Sequence, residues 1–418
     1  MSDDLFVAIE GRLAGVVHRD QGRLTWTYDA DYPMGATPLS VRIPVAGQST
    51  SGSGLVAWLD GLLPDNERVR DSWARSHRVS NTAFDLLSTP IGRDVPGAAA
   101  FSPHPRDVTD AEGGADEVTE AEIAGLLRGM GRDSALWVAQ PADGRFSLAG
   151  AQAKTALMRT ADGRWCRPWG AWATSHIIKP PIPGVADHHV NEYACMRAAA
   201  LVGIPTASVT LERFEDQSAV VVERYDRIWS GTHFQRVHQE DMCQALGVAP
   251  TRKYEADGGP GVRDMLGVVR AHVPPQWADE DVDTLIDAQV FNWAVAGTDA
   301  HAKNYGLLVG GTDARLAPLY DLASGLVEWH ERELKLAMRI GTTRDVWPYS
   351  SPWSHAASDW RLRIDRITRR IDAMLQQIPT AFAAVGTELQ RRGWPTEVAE
   401  QLHTAVSKRT DRLAAFTR

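Results

Sequence analysis

The chain has 418 residues, ordinary apolar and charged fractions and a net charge of −9. That is long enough for two or three domains with sizeable cores, and acidic enough to exclude a broad nucleic-acid surface of the chain's own. Three cysteines (Cys166, Cys195, Cys243) share no metal-type spacing, so neither a disulfide framework nor a zinc site is expected.

The start, Met1-Ser2-Asp3-Asp4, is acidic where a signal peptide would be basic, and no apolar run reaches spanning length. A cytoplasmic protein without a membrane segment is therefore expected. Phe6–Ile9, Leu13–Val17 and Leu24–Tyr28 are strand-like runs separated by Gly-bearing turns, the pattern of a meander. Gly54 to Ser76 has helical character, interrupted at Leu63-Pro64-Asp65-Asn66, where Asp65 or Asn66 can cap the second helix. Asp107 to Gly114 is acidic, Gly-bearing and aperiodic, and is expected to be a linker. Thr119-Glu120-Ala121-Glu122 matches a capping box ahead of Ile123, Leu126 and Leu127.

From about residue 134 strands are expected, at Ser134–Trp137 and along Phe146–Met158, then at His176–Lys179, Val209–Phe214 and Ala219–Tyr225. Asn191 to Val202 is an amphipathic helix stopped by Gly203 and Pro205. Beyond about 226 the chain is expected to be mostly helical. The basic run from Arg361 to Arg370 suits a solvated helix face or a local basic patch. The 15 tryptophans are scattered and suit packing.

Asp299-Ala300-His301-Ala302-Lys303-Asn304 carries the chemistry. An acid, an amide five residues on, and a second acid, Asp321, beyond a short hairpin reproduce the layout of a phosphotransfer centre. The first Asp accepts or orients the proton of an attacking hydroxyl, while the Asn and second Asp hold the Mg2+ that bridges ATP phosphates. Val282, Leu285, Ile286, Val290 and Trp293 recur at helical spacing, so this loop leaves a buried helix. Tyr305–Val309 and Arg315–Tyr320 form the hairpin around a Gly310-Gly311-Thr312-Asp313 turn. Upstream, Lys179 on its apolar strand is placed to pair with ATP phosphates. Glu192 either orients that Lys or faces solvent. Val222-Glu223-Arg224-Tyr225 is the inter-lobe connection whose backbone reads adenine. Leu148-Ala149-Gly150-Ala151-Gln152-Ala153-Lys154 is the phosphate-loop candidate, although it matches neither the Walker nor the GxGxxG pattern.

These motifs, with Leu62–Asn66, Phe84–Leu87, Ile91–Asp94, Gln239–Gln244 and Lys253-Tyr254-Glu255 followed by Asp257–Gly261, resemble the HipA family, serine/threonine-kinase toxins of bacterial type II toxin–antitoxin systems. The resemblance runs nearly end to end. It implies Asp299 as catalytic base, Asn304 and Asp321 as Mg2+ ligands, and Lys179 on the ATP phosphates. It further implies Glu223 and Tyr225 as adenine-reading backbone, His301 to Lys303 and Tyr320 lining the nucleotide site, and Ser147 as an autophosphorylated serine. Ala153 and Ala300 depart from the family's usual Glu and Gly. The implied partners are a small DNA-binding antitoxin (HipB-like), through which DNA is mainly bound, and a protein substrate; the family precedent is an aminoacyl-tRNA synthetase.

The expected fold is α+β: a small mixed N-terminal domain (1–105), a linker and kinase-like N-lobe (106–225), and a helical C-lobe (226–418). Two other readings are a small-molecule phosphotransferase of the aminoglycoside- or choline-kinase type and a non-catalytic co-repressor scaffold. Residues 5–105 favour the toxin, since they resemble an antitoxin-docking domain, and the full phosphotransfer set argues against the scaffold.

Overall fold

The structure, a computed structural model, describes residues 3–45, 49–110, 112–132, 146–185 and 187–417. The strand expected at Ser134–Trp137 lies outside them. The chain forms two compact units. The first comprises residues 1–183, 212–251 and 306–314, the second 184–211, 252–305 and 315–418.

In the first unit, β1 (Asp4–Ile9), β2 (Arg12–Asp20) and β3 (Arg23–Tyr28) are the expected meander. Their turns, Glu10-Gly11 and Gln21-Gly22, hold both residues at positive φ, the two-residue geometry that matches strand twist. With β4 (Thr50–Ser51) and β5 (Ala99–Ser102) they form a sheet of order β4-β3-β2-β1-β5. Helices α1 (Ser53–Gly61) and α2 (Glu67–His77) flank the Leu62–Asn66 break. Asn66, one of the two expected caps, accepts from the Arg68 amide at 3.0 Å. A third helix, α3 (Ala83–Leu87), is capped by Thr82 and leads to a 3-10 turn at Pro90–Arg93.

A helical turn, α4 (Arg106–Thr109), precedes β6 (Gly113–Glu117), so the segment expected as a linker is largely ordered. The glycines explain it. A Cβ on Gly113 would lie 2.6 Å from Trp172 and one on Gly114 2.6 Å from Trp169, so two indole rings press onto a strand that only glycine permits. Helix α5 (Glu120–Arg132) opens with the expected capping box, the Thr119 amide donating to Glu122 at 2.8 Å and the Glu122 amide to Thr119 Oγ1 at 3.2 Å. Strands β7 (Thr155–Arg159), β8 (Trp165–Gly170), β9 (His176–Lys179), β10 (Val209–Phe214) and β11 (Gln217–Glu223) complete a sheet of order β10-β11-β9-β7-β8-β6. Of the run Phe146–Met158 only the end is strand. Residues 146–149 are irregular, and Gly150 makes a single parallel bridge to Pro64. One apolar cluster joins the N-terminal sheet (Leu5, Val7, Trp26, Phe101) to this second sheet (Leu157, Ile178, Val221).

The unit closes with the hairpin β12 (Arg227–Trp229) and β13 (Phe234–Arg236), with β14 (Gln239–Asp241), and with helix α7 (Met242–Leu246). Strand β15 (Gly306–Val309) pairs antiparallel with β14, Glu240 opposite Leu307, and β16 (Ala314–Leu316) lies on its other side. The Gln239–Gln244 motif is structural here. Asp241 and Gln244 form a capping box, Gln244 Nε2 reaches the Trp58 carbonyl at 2.9 Å, and Glu240 accepts from the Val41 amide (2.9 Å) and the Trp58 indole (3.0 Å).

The second unit is mainly helical: α6 (His188–Leu201), α8 (Val262–His272), α9 (Pro275–Val295), α10 (Trp353–Trp360), α11 (Ile364–Arg391) and α12 (Glu397–Leu413), with one hairpin, β17 (Lys335–Ile340) and β18 (Thr343–Asp345). Helix α6 begins three residues before its expected start. Helix α9 buries Val282, Leu285, Ile286, Val290 and Trp293 as its spacing requires, and Trp293, Trp353 and Trp360 meet edge to face. No described helix is long and apolar enough to cross a membrane.

Candidate phosphotransfer site

The second unit carries Asp299. Helix α9 ends on Ala296 in the left-handed conformation, and Gly297 follows because a Cβ there would collide with Asn292 Oδ1. The chain then turns on itself. The Asp299 carbonyl accepts from the His301 amide at 2.8 Å and from Asn304 Nδ2 at 2.9 Å. The expected acid and amide are thus tied to each other through the backbone. Because the Asn304 NH2 is committed to that carbonyl, its Oδ1 is the atom that a cation would meet.

The Asp299 side chain is 69 % exposed, and its carboxylate accepts from the Tyr254 hydroxyl. His301 is buried, with its ring edge-on to Tyr254 at 4.9 Å and Nε2 4.0 Å from Asp299 Oδ1. Ala302, Lys303 and Asn304 form a buried 3-10 turn. The Tyr320 hydroxyl donates to the Lys303 carbonyl at 2.6 Å, linking that turn to the segment that carries Asp321. Asp321 sits at φ 61, a conformation that non-glycine residues seldom adopt. Just beyond it, Ser324 exchanges hydrogen bonds with Asn191 of α6 (2.8 and 3.0 Å) and donates to the Val295 carbonyl of α9. Tyr305 is held by Gln289 and Asn292 of α9 (2.8 and 3.1 Å), and its burial pushes the phenol up to about 12. Glu192 of α6 is 1 % exposed; it does not face solvent.

The first unit carries the other candidates. Lys179 ends β9, buried, with Val220 as its strand partner. Gly150 has φ 103, and the Lys154 ammonium folds back onto the Ala149 carbonyl at 2.6 Å, so Ala149 to Lys154, with Ala151, Gln152 and Ala153 between, form a closed loop. Ser147 is fully buried. Its amide donates to the Asp94 carbonyl at 2.8 Å and its hydroxyl to the Leu62 carbonyl at 2.7 Å, while the Asp65 amide reaches the Gly150 carbonyl at 3.1 Å.

At the Glu223-Arg224-Tyr225 connection the Arg224 side chain turns inward, to Asp226 (2.9 and 3.0 Å), Thr174 (2.9 Å) and the Val95 carbonyl (3.0 Å). Arg227 joins Asp94 at 2.7 Å and Asp226 at 2.8 Å. Burial alone would raise the Asp94 carboxyl, but Arg227, Arg224 and Arg236 overcome it and hold it below the usual carboxylate range. The Tyr225 hydroxyl is held by Gln239 at 2.7 Å.

The candidate ligands Asn304 and Asp321 both offer oxygen, which suits a hard cation that keeps waters and phosphate oxygens in its shell. Among the described residues no group of three or more His, Cys, Asp and Glu is placed to hold a metal by protein side chains alone. Two residues that the sequence reading gave no role take part: Asp94 and Tyr254. Each lay within a motif already noted, but contacts 133 and 45 residues away in sequence decide what they do.

Comparison with known proteins agrees with this architecture. The HipA N-terminal domain profile matches residues 5–102 and the HipA-like C-terminal domain profile residues 146–382. A Sinorhizobium fredii protein named "Putative kinase Y4mE" is 33 % identical over 383 residues, covering 90 % of each chain. The "Serine/threonine-protein kinase toxin HipA" of Shewanella oneidensis is 30 % identical over 331 residues, covering 75 % of this chain and 72 % of that protein. A solved Shewanella oneidensis complex of HipA, HipB and operator DNA aligns with TM-score 0.83 at 24 % identity, over 99 % of this chain and 98 % of that one. The fold is therefore α+β with a kinase-like core. The chain belongs to the HipA family of kinases.

Proposed function

We propose that this chain is an ATP-dependent serine/threonine protein kinase that acts as the toxin of a toxin–antitoxin pair. The observation that carries the proposal is the Asp299–Asn304 turn, in which an exposed carboxylate and a buried amide that donates to the Asp299 carbonyl share one backbone knot. Asp299 takes the proton of the attacking serine or threonine hydroxyl. The new O–P bond forms as the β,γ-bridging P–O bond breaks and ADP departs. Asn304 and Asp321 hold Mg2+, which when bound neutralises charge on the transferring phosphate. Lys179 holds the α/β-phosphates, the amides of Ala149 to Lys154 cradle phosphate oxygens, and backbone groups of Glu223 to Tyr225 read adenine, with His301 to Lys303 and Tyr320 lining the nucleotide.

Ser147 is proposed as the chain's own acceptor. Its hydroxyl is turned onto Leu62 in this conformation, so modification requires the 146–150 segment to leave its seat. A phosphate, with close to two negative charges, could not return to a buried seat against the Leu62 carbonyl. Residues 1–105 are proposed to dock a small HipB-like DNA-binding antitoxin, with operator affinity coming mainly from that partner. The solved relative with HipB and DNA supports this. The protein substrate is proposed to be an aminoacyl-tRNA synthetase, on family precedent alone, and the site of action the cytoplasm.

The test is to incubate the purified chain with Mg2+ and γ-labelled ATP, alone and with cell lysate, beside Asp299→Asn. Expected are self-labelling at Ser147 and a discrete labelled lysate protein, both lost in the variant. Label transferred only to added small amino alcohols would replace this reading with that of a small-molecule kinase.

A further inference from the structure

The segment Lys253-Tyr254-Glu255 to Gly261 is a motif to which the reading above gives no task. Within its own unit it is a rigid loop. The Asp257 and Gly259 amides both donate to the Tyr254 carbonyl (3.0 and 2.9 Å), and Gly258 to that of Glu255 (3.1 Å). Gly259 is obligatory, because a Cβ there would strike the Arg252 carbonyl and lie 2.7 Å from that of Tyr254. The Glu255 carboxylate fastens the loop to β17 by accepting the Arg339 amide at 2.5 Å. The Lys253 carbonyl accepts the Ala302 amide at 3.4 Å, so the same loop also meets the turn that follows Asp299.

One side chain projects from this frame onto the exposed carboxylate. The Tyr254 hydroxyl donates to Asp299 Oδ1, and its ring is fixed on one side by His301 (4.9 Å, edge to face) and approached by the Lys253 ammonium at 5.5 Å. A carboxylate 69 % exposed at the end of a short side chain would otherwise sample several rotamers. A donor anchored to a loop so closely hydrogen-bonded selects one.

We propose that Tyr254 is the positioning residue of the phosphotransfer centre. It holds one oxygen of Asp299 so that Oδ2 faces the acceptor hydroxyl, and the 253–261 loop exists to present it. The inference rests on Asp299 being the base. It extends that reading by assigning the orientation of the base to a hydroxyl 45 residues earlier in the chain.

The test uses the full chain and three variants: Tyr254→Phe, Asp299→Asn and the double variant. Tyr254→Phe keeps the ring against His301 and removes only the hydroxyl. Turnover of Mg-ATP is followed as phosphate transferred plus phosphate released. Expected for Tyr254→Phe is a kcat lower by about tenfold with KM for ATP within about twofold, the loss of one hydrogen bond to a charged group made at the transition state. The double variant should be no slower than Asp299→Asn. A second readout needs no turnover. The 13Cγ resonance of Asp299, assigned by its disappearance in Asp299→Asn, should move in Tyr254→Phe.

If Asp299→Asn is inactive while Tyr254→Phe matches the parent in kcat and in the Asp299 resonance, the inference is wrong and the kinase reading stands. If Asp299→Asn turns over like the parent, the base assignment itself fails. A Tyr254→Phe variant with unchanged kcat and raised KM for ATP would place Tyr254 in the nucleotide site instead, and overturn the positioning role.

Discussion

Glu240 shows how one residue can set the acid–base behaviour of the molecule. It is fully buried, its carboxyl is pushed up to about 7 by that burial, and the Val41 amide and Trp58 indole only partly offset it. A carboxyl with a raised folded pKa binds its proton more tightly in the native chain than in the unfolded one. Its contribution is therefore intact below pH 4.5 and lost as pH climbs through 7. Neighbouring His238 runs the other way. Burial lowers it to about 4, so its contribution is present above 6.5 and lost as pH falls through 4. The stability of Glu240→Gln should gain on that of the parent by roughly 3 kcal/mol between pH 4.5 and 7, as read by urea unfolding at a series of pH values. A parallel pair of curves would refute the burial argument.

Ser147 yields a second prediction at this scale. Ser147→Asp places a charge against the Leu62 carbonyl, so the variant should lose ATP affinity by at least about tenfold in a calorimetric titration. Unchanged affinity would mean that the segment does not act through its seat.

At the scale of elements, the basic run expected as a solvated face or a local basic patch divides: Arg361, Arg363 and Arg369 are exposed, while Arg366 and Arg370 form a ladder between helices. Arg366 of α11 meets Asp283 at 2.7 Å and Asp279 at 3.0 Å, and Arg370 meets Asp283 at 3.0 Å and also Asp287. Acids from α9 thereby neutralise the arginines nearest the helix contact. Asp287→Ala should cost roughly 1–2 kcal/mol, since Arg370 keeps one partner, and the loss should shrink in high salt when thermal unfolding is compared at the two ionic strengths.

Elements also show why part of the fold was legible and part was not. The meander turns, the Asn66 cap, the Thr119–Glu122 box and the apolar stripe of α9 are decided within a few residues, and each forms where the sequence places it. Strand β6 and the 146–150 segment are decided from afar, the first by Trp169 and Trp172, the second by Pro64 and Leu62. Composition called the first a linker and β-propensity called the second a strand. At the site, the spacing of Asp299, Asn304 and Asp321 is what suggests the proposed chemistry, because metal and proton roles demand fixed residue types. The Tyr254 contact announces nothing, since tyrosine serves many roles and its partner is distant.

For the molecule as a whole, the N-terminal sheet does not own its core. Trp58, Phe101, Leu157 and Val221 belong to one apolar cluster, and the charged cluster of Asp94 with Arg224 and Arg227 lies within the same unit. Deleting residues 1–105 should therefore leave a remainder that aggregates, not a free kinase, because it would expose that cluster and remove Asp94, leaving Asp226 as the one carboxylate shared by Arg224 and Arg227. Soluble, cooperatively melting 106–418 would disprove it. The net charge of −9 and the neutralised arginines predict that the isolated chain binds operator-length DNA only weakly at physiological salt. Fluorescence anisotropy with and without the antitoxin checks this, and tight binding by the chain alone would contradict the proposed division of labour.

The backbone at Asp321 has an evolutionary consequence. A φ of 61 admits glycine freely and asparagine or aspartate with little penalty, but resists branched and bulky side chains. Under the proposed reading, a gene copy released from selection for catalysis could shed the carboxylate most cheaply by drifting to asparagine or glycine here. A paralogue reading Asn or Gly at this place, with an otherwise intact frame, would be a folded, silent decoy able to titrate the same partner.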